Sequence, residues 1–179
     1  MSLVLDGSVG VTFPSGAIGN SALMSGTAQA STSGTAITFT GIPSWVKRIT
    51  VMFAGVSSSG TSKFQLQIGN GSIVTTGYVS NANAMGNTNG STSGSSLVTT
   101  GFVVLGYSAT STSTYSGQIV LTLLGSNVWV SNGAIGSSTQ EMACSAGTVT
   151  LSGALDRVSL TTVNGTDTFD AGSINILYE

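Results

Sequence analysis

Gly41-Ile-Pro-Ser-Trp-Val-Lys-Arg-Ile-Thr-Val-Met-Phe-Ala-Gly55 decides the fold class of this chain. After the Gly-Ile-Pro-Ser turn, Ile49, Val51 and Phe53 alternate with Arg48, Thr50 and Met52. That is period 2, the pattern of a strand with one face on a core. Pro43 has no N–H to give to a sheet, so it stands before the strand and limits where pairing begins. Lys47 and Arg48, two of the four basic residues, fall here. They read as strand-edge charges that discourage sheet-to-sheet pairing.

Working outward, Ile37 and Phe39 mark a strand over 36–40, upstream of the turn. Downstream, Phe64, Leu66 and Ile68 face one side while Lys63, Gln65 and Gln67 face the other. This segment is expected to form a hairpin with the organising strand across the 57–61 link. Asn70-Gly71 carries the type I′ signal and leads into a third meander strand over 72–78. Residues 79–97 read as a long polar loop without periodicity. A continuous apolar strand follows over 101–107, then a second polar loop over 109–114. Further strands are expected over 115–124 and from 128 towards 135, joined at Ser126-Asn127. Short strands over 141–143 and 148–151 are split at Ser145-Ala-Gly147, and others cover 157–162 and 173–178. Asn164-Gly165 supplies another turn, and the closing strand is expected to be tied into a sheet. About ten short strands, with turns at regular intervals and no helical pattern after residue 35, predict an all-β fold: an antiparallel β-sandwich, jelly-roll-like.

Residues 1–34 differ in texture. Leu3, Leu5, Phe13, Ile18 and Leu23 are scattered among Gly and small polar residues, too few to form a core. They read as an N-terminal attachment segment whose apolar residues anchor on a partner, a sister subunit or the main domain. A joint at Ala30-Ser-Thr-Ser-Gly34 separates it from a β-sandwich domain over 35–179. The opening residues lack the positive and apolar regions of a signal peptide, and no apolar run is long enough to span a membrane.

The 179 residues are 40% hydrophobic but only 6% charged, with 25 Gly and a net charge of -2. Ordinary globular domains carry about 25% charged residues. Four Lys and Arg residues cannot neutralise a phosphate backbone, so nucleic acid is not expected as a partner. A nearly neutral surface is weakly protected against self-association, which points to an oligomer or a component of a larger particle.

Chemistry is sparse. There is no His, so the many Ser and Thr hydroxyls lack their usual base, and enzymatic activity is not expected. Cys144 is the single cysteine and reads as a small buried apolar side chain. Neither a metal nor an organic cofactor is expected. Asp156, Asp167 and Asp170 lie beside turns and read as turn caps, while Asp167-Thr-Phe-Asp170 lacks the ligand run of a calcium loop. Arg157 is expected to pair with Asp156 or to contact another subunit. Trp45 and Trp129 read as core residues. Tyr78, Tyr107 and Tyr115 border the two polar loops. They are candidates either for a sugar-stacking or protein-contact surface or for rings that seal the sandwich ends.

Two long segments carry a resemblance. Thr40 to Val56, with its Gly-Ile-Pro-Ser-Trp-Val-Lys-Arg core, resembles a recurrent segment in tail-fibre-associated and other structural proteins of tailed bacteriophages. So does the closing run from Leu151-Ser-Gly-Ala-Leu-Asp-Arg-Val-Ser-Leu160 to Glu179. The opening Leu5-Asp-Gly-Ser-Val-Gly-Val-Thr-Phe-Pro14 is similar to the first residues of phage virion proteins. The resemblance implies a virion location and a β-sandwich in a homotrimer. It also implies an N-terminal part attached to other virion proteins and a distal part exposed to a host-surface glycan or protein. A tail fibre, short fibre or knob is the first expectation. A capsid decoration protein and a carbohydrate-binding module are the alternatives.

Overall fold

The computed structural model describes residues 4–6, 10–12, 23–86 and 92–179, with side chains for 23–86 and 97–179. The described residues contain sixteen strands. In chain order they are β1 (Val4–Asp6), β2 (Gly10–Thr12), β3 (Met24–Ser25), β4 (Gln29–Ala30), β5 (Ala36–Thr40), β6 (Arg48–Ser58), β7 (Phe64–Asn70) and β8 (Ser72–Ile73). The remainder are β9 (Val79–Met85), β10 (Thr92–Val98), β11 (Phe102–Val103), β12 (Tyr115–Gly125), β13 (Val128–Ser137), β14 (Met142–Thr150), β15 (Arg157–Thr162) and β16 (Phe169–Tyr178). They form two main antiparallel sheets. The larger has nine strands in the order β10-β9-β14-β13-β12-β6-β16-β3, with β4 also on β16. The smaller has five, β11-β7-β15-β5 with β8 on β7, and β1 pairs β2 separately.

The organising strand behaves as its pattern demands. Ile49, Val51 and Phe53 are buried, and Val56 continues the same inward set. β6 pairs with β12 on one side and β16 on the other, so it is a central strand. Lys47 and Arg48 are therefore not edge charges. Their amides donate to the Glu179 carbonyl at 2.7 and 2.9 Å, and Arg48 Nη1 meets Glu179 Oε1 at 3.3 Å.

The expected hairpin between the organising strand and 63–68 does not form, because β6 and β7 lie in different sheets. β7 is buried on both faces. Phe64 crosses to the larger sheet, edge-on to Tyr115 at 5.2 Å and to Phe169 at 5.5 Å. Gln65 and Gln67 point away from that core but are covered by the 99–101 segment. Thr100 Oγ1 donates to Gln65 Oε1, and Gln67 Nε2 donates to the Thr100 carbonyl. Residues of both sheets contribute to one apolar cluster, in which Leu66, Ile68, Leu160, Leu121 and Trp129 are essentially inaccessible.

The 79–97 region is not a loop throughout, since β9 and β10 pair there with each other and β9 joins β14. The two short strands expected around Ser145-Ala-Gly147 are one continuous β14. Conversely, the apolar run over 101–107 contains only the two-residue β11, and the third meander strand only β8. Asn70 is not left-handed, so Asn70-Gly71 is not a type I′ turn. That turn occurs at Ser126-Asn127, where φ is 49° and 61° between β12 and β13. Residues 24–31 run along β16, where Ser31 is buried and donates from N and Oγ to the carbonyls of Gly172 and Ala171. Leu3, Phe13 and Ile18 lie outside the described residues, Leu5 lies in β1, and Leu23 is 61% exposed.

Candidate functional site

Tyr107 and Tyr115 come together at one end of the molecule, their ring centroids 6.4 Å apart. Tyr78 does not join them. It is fully buried elsewhere, edge-on to Phe102 at 5.0 Å. Its hydroxyl accepts from Ile68 N at 2.8 Å and shares its proton between the carbonyls of Val74 at 3.0 Å and Ile68 at 3.2 Å. Burial pushes its pKa up to about 12, opposed by the Ile68 hydrogen bond. Tyr115 is also inaccessible, and its hydroxyl accepts from Thr110 N at 3.1 Å. Burial removes Tyr78 and Tyr115 from any ligand or partner surface, and each instead fastens a neighbouring segment. Arg157 forms the expected local pair, with Nε to Asp156 Oδ1 at 2.7 Å and Nη2 to Oδ2 at 3.0 Å. The Arg157 guanidinium holds Asp156 below its ordinary value.

Neutral donors also occupy Asp156, Asp167 and Asp170. Asp156 Oδ2 caps Gly71 N at 3.0 Å. Asp167 accepts from Ser62 N at 2.9 Å and Asn164 Nδ2 at 2.7 Å, and Asp170 accepts from the Ser57 hydroxyl. The bonds to Gly71 N, Ser62 N and the Ser57 hydroxyl reach across to neighbouring segments, whereas the Asn164 contact lies within Asp167's own turn. Among the described residues, no group of three acidic, Cys or His side chains is placed to hold a metal ion. Cys144 is exposed, contrary to the expected burial, because it points outward from β14 between Asn83 and Ala134.

Tyr107 and, at the end of β6, Ser58 carry buried hydroxyls without a complement. Burial pushes the pKa of Tyr107 up, and Ser137 and Glu141 stand nearby without reaching hydrogen-bond geometry with it. Around Tyr107 runs a chain of hydroxyls. Thr110 Oγ1 donates to Ser113 Oγ at 2.6 Å, Ser113 and Thr139 share a bond at 3.1 Å, and Thr139 and Ser137 share one at 3.0 Å. Ser137 Oγ also accepts from Thr139 N and Glu141 N. Gln140 between them has φ 68°, a left-handed conformation uncommon for a residue with a side chain. Thr114, Ser116, Gly136, Ser137 and Ser138 line a surface recess of about 360 Å³ beside this network.

The 109–114 loop expected to carry recognition is thus one wall of this end. The turn at 137–141 is the other, and sequence reasoning missed it. Ser-Ser-Thr-Gln is indistinguishable in composition from the rest of the chain, and only the later Glu141 stands out. The hydroxyls lining the recess and the Glu141 carboxylate can exchange hydrogen bonds with a neutral polar ligand, while the buried Tyr107 hydroxyl stays behind them.

No protein-family model matches the chain, and no curated protein or solved structure matches it either.

Proposed function

We propose that this chain is a structural protein of a tailed-bacteriophage virion: a fibre, short fibre or knob of the tail, assembled as a homotrimer. In this reading residues 1–34 attach it to other virion proteins. The end built from Tyr107, the 109–114 loop and the 137–141 turn faces outward and contributes to attachment to a host-surface glycan or protein. The role is binding and assembly, without catalysis or cofactor. The two sheets stack as a β-sandwich. The chain repeatedly changes sheet, as at β5–β6, β6–β7, β10–β11 and β15–β16, which supports a jelly-roll-like reading of that sandwich.

One observation carries the reading. The two segments that resemble phage virion proteins supply β6 and β16, which are hydrogen-bonded side by side from Ile49↔Tyr178 to Ser58↔Phe169. Segments far apart in sequence thus make one unit in the middle of the larger sheet. A reconstruction of particles containing the chain tests the proposal by position and copy number. A few to a few tens of copies on the tail are expected. Hundreds of copies on the capsid shell would replace the tail reading with a decoration protein. Retention on a glycan array by free monomer, with no particle association, would replace it with a carbohydrate-binding module.

A further inference from the structure

The outward face of β12, β13, β14, β9 and β10 is large, exposed and unlike the rest of the surface. Cross-strand register places one set of residues on it, running Val120↔Asn132↔Ala146↔Asn81↔Leu97 in one row and Gln118↔Ala134↔Cys144↔Asn83 in the next. Val79, Met85, Leu97, Val130 and Met142 stand exposed on the same face, Leu97 at 67%. No described outward position on these strands carries a charged or aromatic side chain. Antiparallel sheets that face water normally alternate apolar inward with charged or strongly polar outward.

We infer that this face is the contact between copies of this chain, and the inference rests on the homo-oligomeric reading above. Three physical arguments select a second copy as occupant. First, a face without charge meets its own copy without like-charge repulsion, and it gives nothing to a charged partner. Second, Asn81, Asn83 and Asn132 protrude from its middle. A carboxamide both donates and accepts, so amides from two copies complement each other, whereas hydrocarbon would leave them unpaired. The absence of aromatic rings removes the stacking platform that a sugar would need. Third, the size is adequate. The five strands at about 4.8 Å spacing and seven residues at about 3.3 Å rise make a plane of roughly 550 Å². Accessible area over protruding side chains exceeds that plane, which brings the face to the roughly 600–800 Å² per partner at which specific complexes begin. The small Ala134, Ala146 and Cys144 let a second sheet approach to about the 10 Å of stacked sheets.

Cys144, near the centre of the face, reports on it. The full chain is sized by light scattering from about 1 to 100 µM, and at each concentration its thiol is timed against a maleimide. The expected result is an oligomer in which Cys144 reacts at least tenfold more slowly than in urea. Ala134→Glu, at an outward and exposed position, should give a monomer of unchanged circular dichroism with a fully reactive thiol. Asn132→Lys should do the same if Ala134→Glu folds poorly. An oligomer with a fully reactive Cys144 and no response to either variant overturns this face and leaves the homo-oligomer standing. A monomer throughout the concentration range overturns both.

Discussion

At the residue scale, two tyrosines of similar sequence setting have opposite energetics. Tyr78 is a buried phenol with its donors and acceptors matched, and the Ile68 amide depends on it. Tyr78→Phe should lower unfolding free energy by about 1–3 kcal/mol, the cost of a buried group left unsatisfied, measured by urea titration at pH 7. Tyr107 hides a hydroxyl that nothing complements. Tyr107→Phe should therefore leave stability unchanged or raise it by about 1 kcal/mol in the same assay. In alkali both are shifted the same way, upward by burial. The Tyr78 pKa lies at about 12 in the folded chain against about 10 unfolded, so its contribution is complete below pH 10 and is lost as pH rises to 12. An unfolding midpoint that falls over that range in the parent, and less steeply in Tyr78→Phe, is the expected result.

At the element scale, the centre of the larger sheet is held by a close backbone crossing. β6 and β16 shift register around Ala171, and there Gly172 has φ 89°. A Cβ on Gly172 would lie 2.4 Å from the Gly55 backbone. Gly172→Ala should lower stability by roughly 1–3 kcal/mol from backbone strain alone, with more from the collision, read as a lower urea midpoint. Elements whose inward residues are large were readable from the sequence. Ile49-Val51-Phe53 and the run that ends at Tyr178 are examples: both form strands, although β16 begins at Phe169, four residues before the expected 173–178 run. Strands lined with small or polar residues were not readable. β9 turns Ser80, Ala82 and Ala84 inward and β14 turns Ala143, Ser145 and Gly147 inward, none of which weighs on a hydrophobicity scale. The structure supplies the reason: β11 packs directly on β9 and β14. A Cβ on Gly147 would lie 2.9 Å from Phe102, and Ser80 Oγ accepts from Val103 N. Local alternation also cannot tell which sheet a strand enters. That choice for β7 was made by the aromatic contacts of Phe64, made far away in sequence. At the candidate site only the 109–114 wall was legible, because the opposing turn is distinguished by the φ of Gln140 and not by composition.

At the scale of the whole molecule, electrostatics contributes little. The described residues contain two ion pairs, both partly exposed, and the chain has no His. Exposed pairs of this kind are worth little and are screened by salt. Thermal midpoints should therefore be nearly flat from pH 5 to 9 and between 50 and 500 mM NaCl, with midpoint and oligomer mass both measured. On the acid side, the depressed Asp156 contributes stability that is present above the ordinary aspartate value of about 3.9 and is lost as pH falls through its lower folded value. A modest decline confined to that region is expected, and Asp156→Asn should abolish it. Sulfate, which strengthens apolar burial, should raise the midpoint where NaCl does not.

The place of β6 between β12 and β16 also bears on how the chain is made. Ser57 and Asp170, joined across the β6–β16 boundary, are 113 positions apart. At about 5–20 residues per second, a ribosome needs on the order of ten seconds to deliver the second after the first. Throughout that interval this central strand of the nascent chain has one flank without its partner. The newborn polypeptide is then a natural client for a chaperone, and early crowding of several such chains on one message would favour cross-pairing between them over correct closure.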